Sequence, residues 1–231
     1  MMDAVYEADI GDFRITTVVN GRYRQNGYIL LNRSNRRTLV IDPGGRSEDI
    51  SALVEKAGTV VDVILLTHGH FDHLGAAHSL SERWGVPCKV HRADQKLIRQ
   101  APLYALRLIR QAIQVPKQLD VFENTEMLDW AGGSIRVIHT PGHTEGSVCY
   151  ALLGIVFTGD VLLREHIGPT IYPGSNRDRL VESVELLLAQ DLPGDTVVFA
   201  GHGRPWTIQE ARTWWAQLEG PPPIYATDKI G

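Results

Sequence analysis

At 231 residues the chain is long enough for one sizeable core or two small ones. Its 43% hydrophobic and 22% charged residues are ordinary for a soluble globular protein, and a net charge of −4 gives bulk electrostatics no hold on nucleic acid or a membrane surface. The acidic opening from Met1 to Glu7 has no apolar h-region, the longest apolar run, Val148 to Phe157, is too short to span a bilayer, and only two cysteines occur. Cys88 and Cys149 lie in strand-like runs, as buried free thiols would, so the cytoplasm is the expected location.

The first half reads as strands broken by turns. Phe13 to Val19, Tyr28 to Leu31 and Thr38 to Ile41 are rich in β-branched residues, and the polar break from Asn32 to Arg37 makes the last two a hairpin. Asp42-Pro43-Gly44-Gly45 stops the sheet with turn chemistry, where Asp42 either forms the turn or buttresses a metal-binding loop from behind. A helix is expected from Ser47 to about Lys56, a strand over Val60 to Leu66, a helix from Leu74 to Trp84 and a strand from Pro87 to Val90. His78 and His91 stand outside any ligand pattern and read as structural or surface residues.

Residues 92–122 read as a helical insert, with Tyr104, Ala105, Leu106, Leu108, Ile109, Ala112 and Ile113 on one face. From Gln95 to Leu119 five residues are basic and none is acidic. This stretch is either a solvated face or a flank whose Arg107 and Arg110 draw an anionic substrate inward. Strands then follow at Ser134 to Thr140, Ser147 to Leu152, Ile155 to Thr158 and Thr196 to Ala200. A helix opened by a capping box at Ser175 to Asp178 precedes the last of these, and another runs from Ile208 to Leu218. Trp206, Trp214, Trp215 and the proline-rich end either close the core or bury against a second subunit, so a homodimer is one expected assembly.

The chemistry concentrates at strand ends. Thr67-His68-Gly69-His70-Phe71-Asp72-His73 follows a buried strand and precedes a helix, so the cluster sits on a strand-to-helix turn. Three imidazoles so close together would repel one another if charged, and with the carboxylate they would waste polar groups if buried unpaired; a cation removes both problems. Zinc takes these donors at about 2.0–2.2 Å. Three more strands end in Gly-bearing loops that carry His143, Asp160 and His202.

Taken together, Thr67-His68-x-His70-x-Asp72-His73, Pro141-Gly142-His143, Thr158-Gly159-Asp160 and Gly201-His202-Gly203 resemble the signature of the metallo-β-lactamase-fold hydrolase superfamily. The resemblance covers nearly the whole chain. It implies a single α+β domain over residues 1–231, an αβ/βα sandwich of two mixed β-sheets flanked by helices, with the insert at about 92–122 and a short tail at 221–231. It further implies that His68, His70 and His143 hold one metal, that Asp72, His73 and His202 hold a second, and that Asp160 bridges them. The expected cofactors are two zinc ions, with iron or manganese as substitutes.

Two such cations share a water whose pKa falls toward about 7. The expected reaction is attack of that hydroxide on an acyl carbonyl, with Asp72 accepting the proton. Thr67 to His73, Phe157 to Asp160 and Gly201 to Pro205 look most like the glyoxalase II-type subgroup, which implies a thioester hydrolase. Its substrate would be small or carrier-bound and anionic, with no nucleic-acid or membrane partner. The run Val161 to Thr170 departs from the Gly-Cys-Gly-Arg-like element of the glutathione-thioester enzymes. Coenzyme A and carrier-protein thioesters therefore stand beside glutathione ones. A lactonase, a mononuclear-iron persulfide dioxygenase and a metal-bearing binding protein are the alternatives.

Overall fold

The computed structural model describes residues 5–123 and 126–226, which form two compact units on either side of Phe122 and Glu123. In the first unit, β1 (Val5–Ile10), β2 (Phe13–Asn20), β3 (Gln25–Asn32) and β4 (Arg37–Ile41) form an antiparallel run. Then come α1 (Ser47–Ala57), β5 (Val60–Leu65), α2 (Phe71–Leu74), α3 (Ala77–Trp84), β6 (Cys88–His91), α4 (Gln95–Ile109) and β7 (Leu119–Phe122). β4 to β7 pair in parallel, so the sheet of seven strands is mixed and runs in sequence order. The change from antiparallel to parallel follows the connections: tight turns join the first four strands, while helices carry the chain between the later ones.

A hydrophobic cluster joins the helices of this unit to its sheet. Ile50 and Val54 of α1, Leu80 of α3 and Ile98, Ala101 and Ala105 of α4 pack with Val18, Ile29, Val40, Ile64 and Val90 of the sheet. The spacing of the helical members follows the 3.6-residue period that the sequence displays.

Three expectations change here. The helix expected from Leu74 to Trp84 is divided into α2 and α3, because Ala76 N–H donates to the Pro43 carbonyl at 2.9 Å and leaves the helical ladder. The helical insert expected over 92–122 is helical mainly over Gln95–Ile109. Arg110 adopts a left-handed conformation (φ 56°) and donates its N–H to the Ala105 carbonyl, Pro116 offers no N–H, and Leu119–Phe122 becomes β7 on the sheet edge. Leu106, placed on the apolar face, is 58% exposed.

The second unit contains β8 (Glu126–Trp130), β9 (Gly133–His139), β10 (Val148–Leu152), β11 (Ile155–Gly159), β12 (Leu162–Leu163), β13 (His166–Ile167), α5 (Arg177–Leu188), β14 (Val197–Ala200), β15 (Trp206–Thr207) and α6 (Ile208–Ala216). Its sheet of six strands runs β15-β14-β11-β10-β9-β8, parallel only between β11 and β14. Leu180, Val184 and Leu187 of α5 and Ile208 and Ala211 of α6 cover Ile138, Cys149, Val156 and Val198. Trp206 is buried in this core, and Trp214 and Trp215 pack against it half-buried.

The capping box expected at Ser175 to Asp178 is not formed. Asn176 caps α5 instead, its side chain accepting from Arg179 N–H at 3.0 Å, while a true capping box joins Thr207 and Glu210 at the start of α6. The end of the chain adds to the unit by backbone pairing. Ile167 N–H donates to the Pro223 carbonyl and Tyr225 N–H to the Ile167 carbonyl. Residues 227–231 of the expected tail lie outside the described residues. Among the described residues no helix is long and apolar enough to cross a membrane.

Candidate metal centre

In the first unit the strand β5 runs into Leu66 and Thr67, and the chain turns at Gly69 before α2. Gly69 is favoured by packing: a Cβ there would lie 3.1 Å from Ile98 and 3.3 Å from backbone atoms of α4 and the residue before it, tighter than ordinary contact. The buried carboxylate of Asp94 fixes the same turn by accepting Gly69 N–H at 2.7 Å. A Cβ on Gly44 would collide with the Asp72 carbonyl, so the loop after β4 packs directly on the α2 backbone.

Asp42 organises the donors. Its Oδ1 accepts Thr67 N–H at 2.7 Å, and its Oδ2 accepts the Thr67 hydroxyl at 2.5 Å and lies 2.9 Å from His73 Nδ1. Since a carboxylate oxygen only accepts, His73 Nδ1 carries the proton and Nε2 carries the lone pair. The Thr67 hydroxyl gives its one proton to Asp42, so the 3.0 Å contact between Thr67 Oγ1 and His68 Nδ1 is donated by the ring. His68 Nε2 therefore presents a lone pair as well. Asp42, which the sequence left between turn-former and buttress, does both: it turns the chain at φ 47° and sets two imidazole tautomers.

These tautomers fit a cation. His68 Nε2 and His70 Nδ1 lie 3.1 Å apart. Two nitrogens bound to one zinc at about 2.0–2.1 Å and angles of 90–110° would be about 2.9–3.4 Å apart. His68 and His73 are fully buried, His70 and Asp72 half-buried, and Asp72 Oδ2 is 4.0 Å from His73 Nε2.

The second unit carries a matching set. His143 follows β9, Asp160 follows β11 and His202 follows β14, and all three are buried. His143 Nδ1 donates to the Pro169 carbonyl at 2.8 Å, which again leaves Nε2 as the lone-pair nitrogen. Asp160 Oδ2 lies 3.7 Å from His143 Nε2 and 3.5 Å from His202 Nε2. These spacings match ligands about 2.1 Å from an ion at angles near 110–125°. Gly168 admits this geometry, because a Cβ there would strike the Asp160 carbonyl and come within 2.9 Å of His143 Nδ1. Tyr225 stacks on the His202 ring with centroids 5.3 Å apart.

The structure thus gathers His68, His70, Asp72 and His73 within one unit and His143, Asp160 and His202 within the other. Arg107 and Arg110 are both exposed; Arg110 lines a cleft beside Asp72, whereas Arg107 is not among that cleft's lining residues. Sequence reasoning missed Asp94, Gln25 and Tyr225. Gln25 is buried, and its amide donates to the Asp42 carbonyl at 3.1 Å. Of the isolated histidines, His91 is buried and accepts Ala93 N–H at 3.3 Å, a structural role.

Both fold and donors are those of a metallo-hydrolase, and the metallo-beta-lactamase superfamily model matches residues 21–202. The chain belongs to that superfamily. Hydroxyacylglutathione hydrolase GloC of Haemophilus influenzae is 32% identical over 202 residues, 83% of this chain and 92% of that protein. Among solved structures, the BLEG-1 B3 metallo-beta-lactamase superposes with a TM-score of 0.77 at 29% identity, covering 86% of this chain and 96% of its own. The di-iron-bound form of TTHA1623 gives 0.75 at 36% identity, covering 85% and 97%.

Proposed function

We propose that the protein is a binuclear-metal hydrolase of acyl thioesters, of the glyoxalase II-like type. His68, His70 and His143 would hold one ion, Asp72, His73 and His202 the other, and Asp160 both. The observation that carries this reading is the set of buried imidazoles whose far nitrogens are engaged by Thr67, Asp42 and Pro169, leaving a lone pair on the near nitrogen of His68, His73 and His143. Family membership and the similarity to GloC support it. So does Asp160, which stands where some β-lactamase branches carry cysteine.

When bound, such ions lower the pKa of water and polarise an acyl carbonyl. The chain's own part is to hold and move protons. Water adds to the carbonyl carbon, its proton passes to a carboxylate oxygen of Asp72, the C–S bond breaks with its electron pair on sulfur, and the proton is then delivered to the departing thiolate. Buried Asp42 keeps His73 and His68 in the ligating tautomers throughout.

The test is metal content together with turnover of a panel of acyl thioesters and lactones. About two ions per chain are expected, zinc or iron, the latter supported by the di-iron relative. Thioester hydrolysis should vanish on chelation, and Asp72→Ala should lower kcat by at least about 100-fold. One iron per chain with oxygen consumption and no hydrolysis would overturn the reading.

A further inference from the structure

The cleft beside Asp72 has walls that the hydrolytic chemistry does not use. It has a volume of about 360 Å³ and lies within the first unit. Three separate backbone segments bring arginines to it: Arg22 from the turn between β2 and β3, Arg46 from the loop ahead of α1, and Arg110 from the end of α4. Tyr23, Phe71 and Leu108 give it an apolar side, on which the rings of Tyr23 and Phe71 meet edge to face at 5.9 Å.

We propose that this cleft receives the anionic end of the substrate's thiol carrier, a carboxylate or phosphate held by Arg22, Arg46 and Arg110, with the carrier's apolar stem along Tyr23, Phe71 and Leu108. The proposal rests on the thioester-hydrolase reading and names the part of the substrate that the metal ligands do not touch.

Charge gives the first argument. Among the lining residues three arginines face one carboxylate, Asp72, in a chain whose net charge is −4. Arg46 is half-buried and steadied by Asp49, whose Oδ2 accepts its Nε–H at 2.7 Å. No carboxylate of the described residues forms an ion pair with Arg22 or Arg110. Arg22 and Arg110 are exposed, so solvent screens their mutual repulsion, and an anion seated among the three guanidiniums would be attracted by all of them. A guanidinium offers five donors in a fork that suits carboxylate and phosphate oxygens.

The second argument is position. The basic stretch after Gln95 reads in sequence as a solvated helical face, and Arg107 conforms to that reading. Arg110 is exposed as well, but the helix ends on it in a left-handed conformation and it lines the cleft. Asp72, one of the proposed metal ligands, lines the same cleft. A ligand that fills it would therefore reach from the arginines to the reacting carbonyl. At about 360 Å³ the space is near the lower end of small-molecule sites, which suits part of a carrier rather than the whole of one.

The decisive measurement is calorimetric titration of the metal-loaded protein with three unreactive thioethers: S-methylglutathione, S-methyl-coenzyme A and neutral S-methyl-N-acetylcysteamine. At least one anionic thioether should bind at least tenfold more tightly than the neutral one. Arg22→Gln and Arg110→Gln should each raise its Kd about tenfold, near 1.4 kcal/mol, and flatten its salt dependence. Arg107→Gln, outside the cleft, should change Kd less than twofold.

Preference for the glutathione probe assigns a carboxylate, and preference for the coenzyme A probe a phosphate. Equal binding of all three thioethers, or an Arg107→Gln loss as large as that of Arg110→Gln, would overturn the proposal. Because the probes are not cleaved, this result is independent of turnover. Absence of thioester hydrolysis by the wild-type protein would remove the hydrolase reading while leaving the titration to decide the cleft.

Discussion

Asp42 is the residue on which most of the first donor set depends, although it is not among the proposed ligands. Both its oxygens are used within the protein, one on Thr67 N–H and the other on the Thr67 hydroxyl and His73 Nδ1. Asn offers a sharp test, since Asp and Asn are both tolerated at the observed φ of 47° and the backbone would be undisturbed. In Asp42→Asn an amide NH₂ replaces the Oδ2 acceptor or displaces Oδ1, so a donor faces either Thr67 or His73. The imidazole of His73 then has reason to exchange tautomers and lose its ligating lone pair. The expected outcome is a 10- to 100-fold loss of metal affinity for about one of two ions, measured by competition with a chromophoric chelator, with the far-ultraviolet circular dichroism unchanged.

Among the elements, α5 shows how a helix end lacking a glycine is completed by another helix. Ala189 follows Leu188 in a right-handed conformation, and the guanidinium of Arg212 on α6 donates to the carbonyls of Leu188, Gln190 and Leu192 at 2.9, 2.8 and 3.2 Å. A cation at a helix C-terminus also opposes the negative end of the helix dipole. Arg212→Ala should destabilise the protein by about 2–3 kcal/mol, read as a fall of about 4–12 °C in Tm. Lys, with one ammonium in place of the fork, should restore less than half of the loss.

The strands that end in ligands were legible because each is a β-branched run stopped by glycine. β1 was passed over although Tyr6, Ala8 and Ile10 alternate with Glu7 and Asp9, because the run is short, weakly apolar and has no buried residue. Nor was the break between α2 and α3. It depends on Pro43, remote in sequence, accepting an N–H that would otherwise serve the helix.

At the scale of the whole molecule, the sequence displayed what is local and concealed what long-range packing brings together. The motif around His68 to His73 could be read directly, whereas Asp94, Arg22 and Arg46 reach the same region from distant segments and carry no pattern of their own. The two cysteines belong to the legible part: both are buried, one in each unit, and they give the molecule a pH dependence that neither metal nor substrate supplies. Burial pushes the thiols of Cys88 and Cys149 up to about 12 from an ordinary value near 9.0. In the unfolded chain they lose their protons at the ordinary value, so between those limits the folded state binds more protons and stability falls as pH rises. Their contribution is intact below pH 9.0 and is lost progressively toward about 12. Each thiol adds a slope of at most about 1.4 kcal/mol per pH unit. Cys149→Ala, compared with the wild type by urea unfolding between about pH 8 and 10.5, should lower stability at the neutral end through the lost packing yet show the shallower alkaline decline. Parallel declines would place the Cys149 thiol's native pKa near its unfolded one and its surroundings in contact with water.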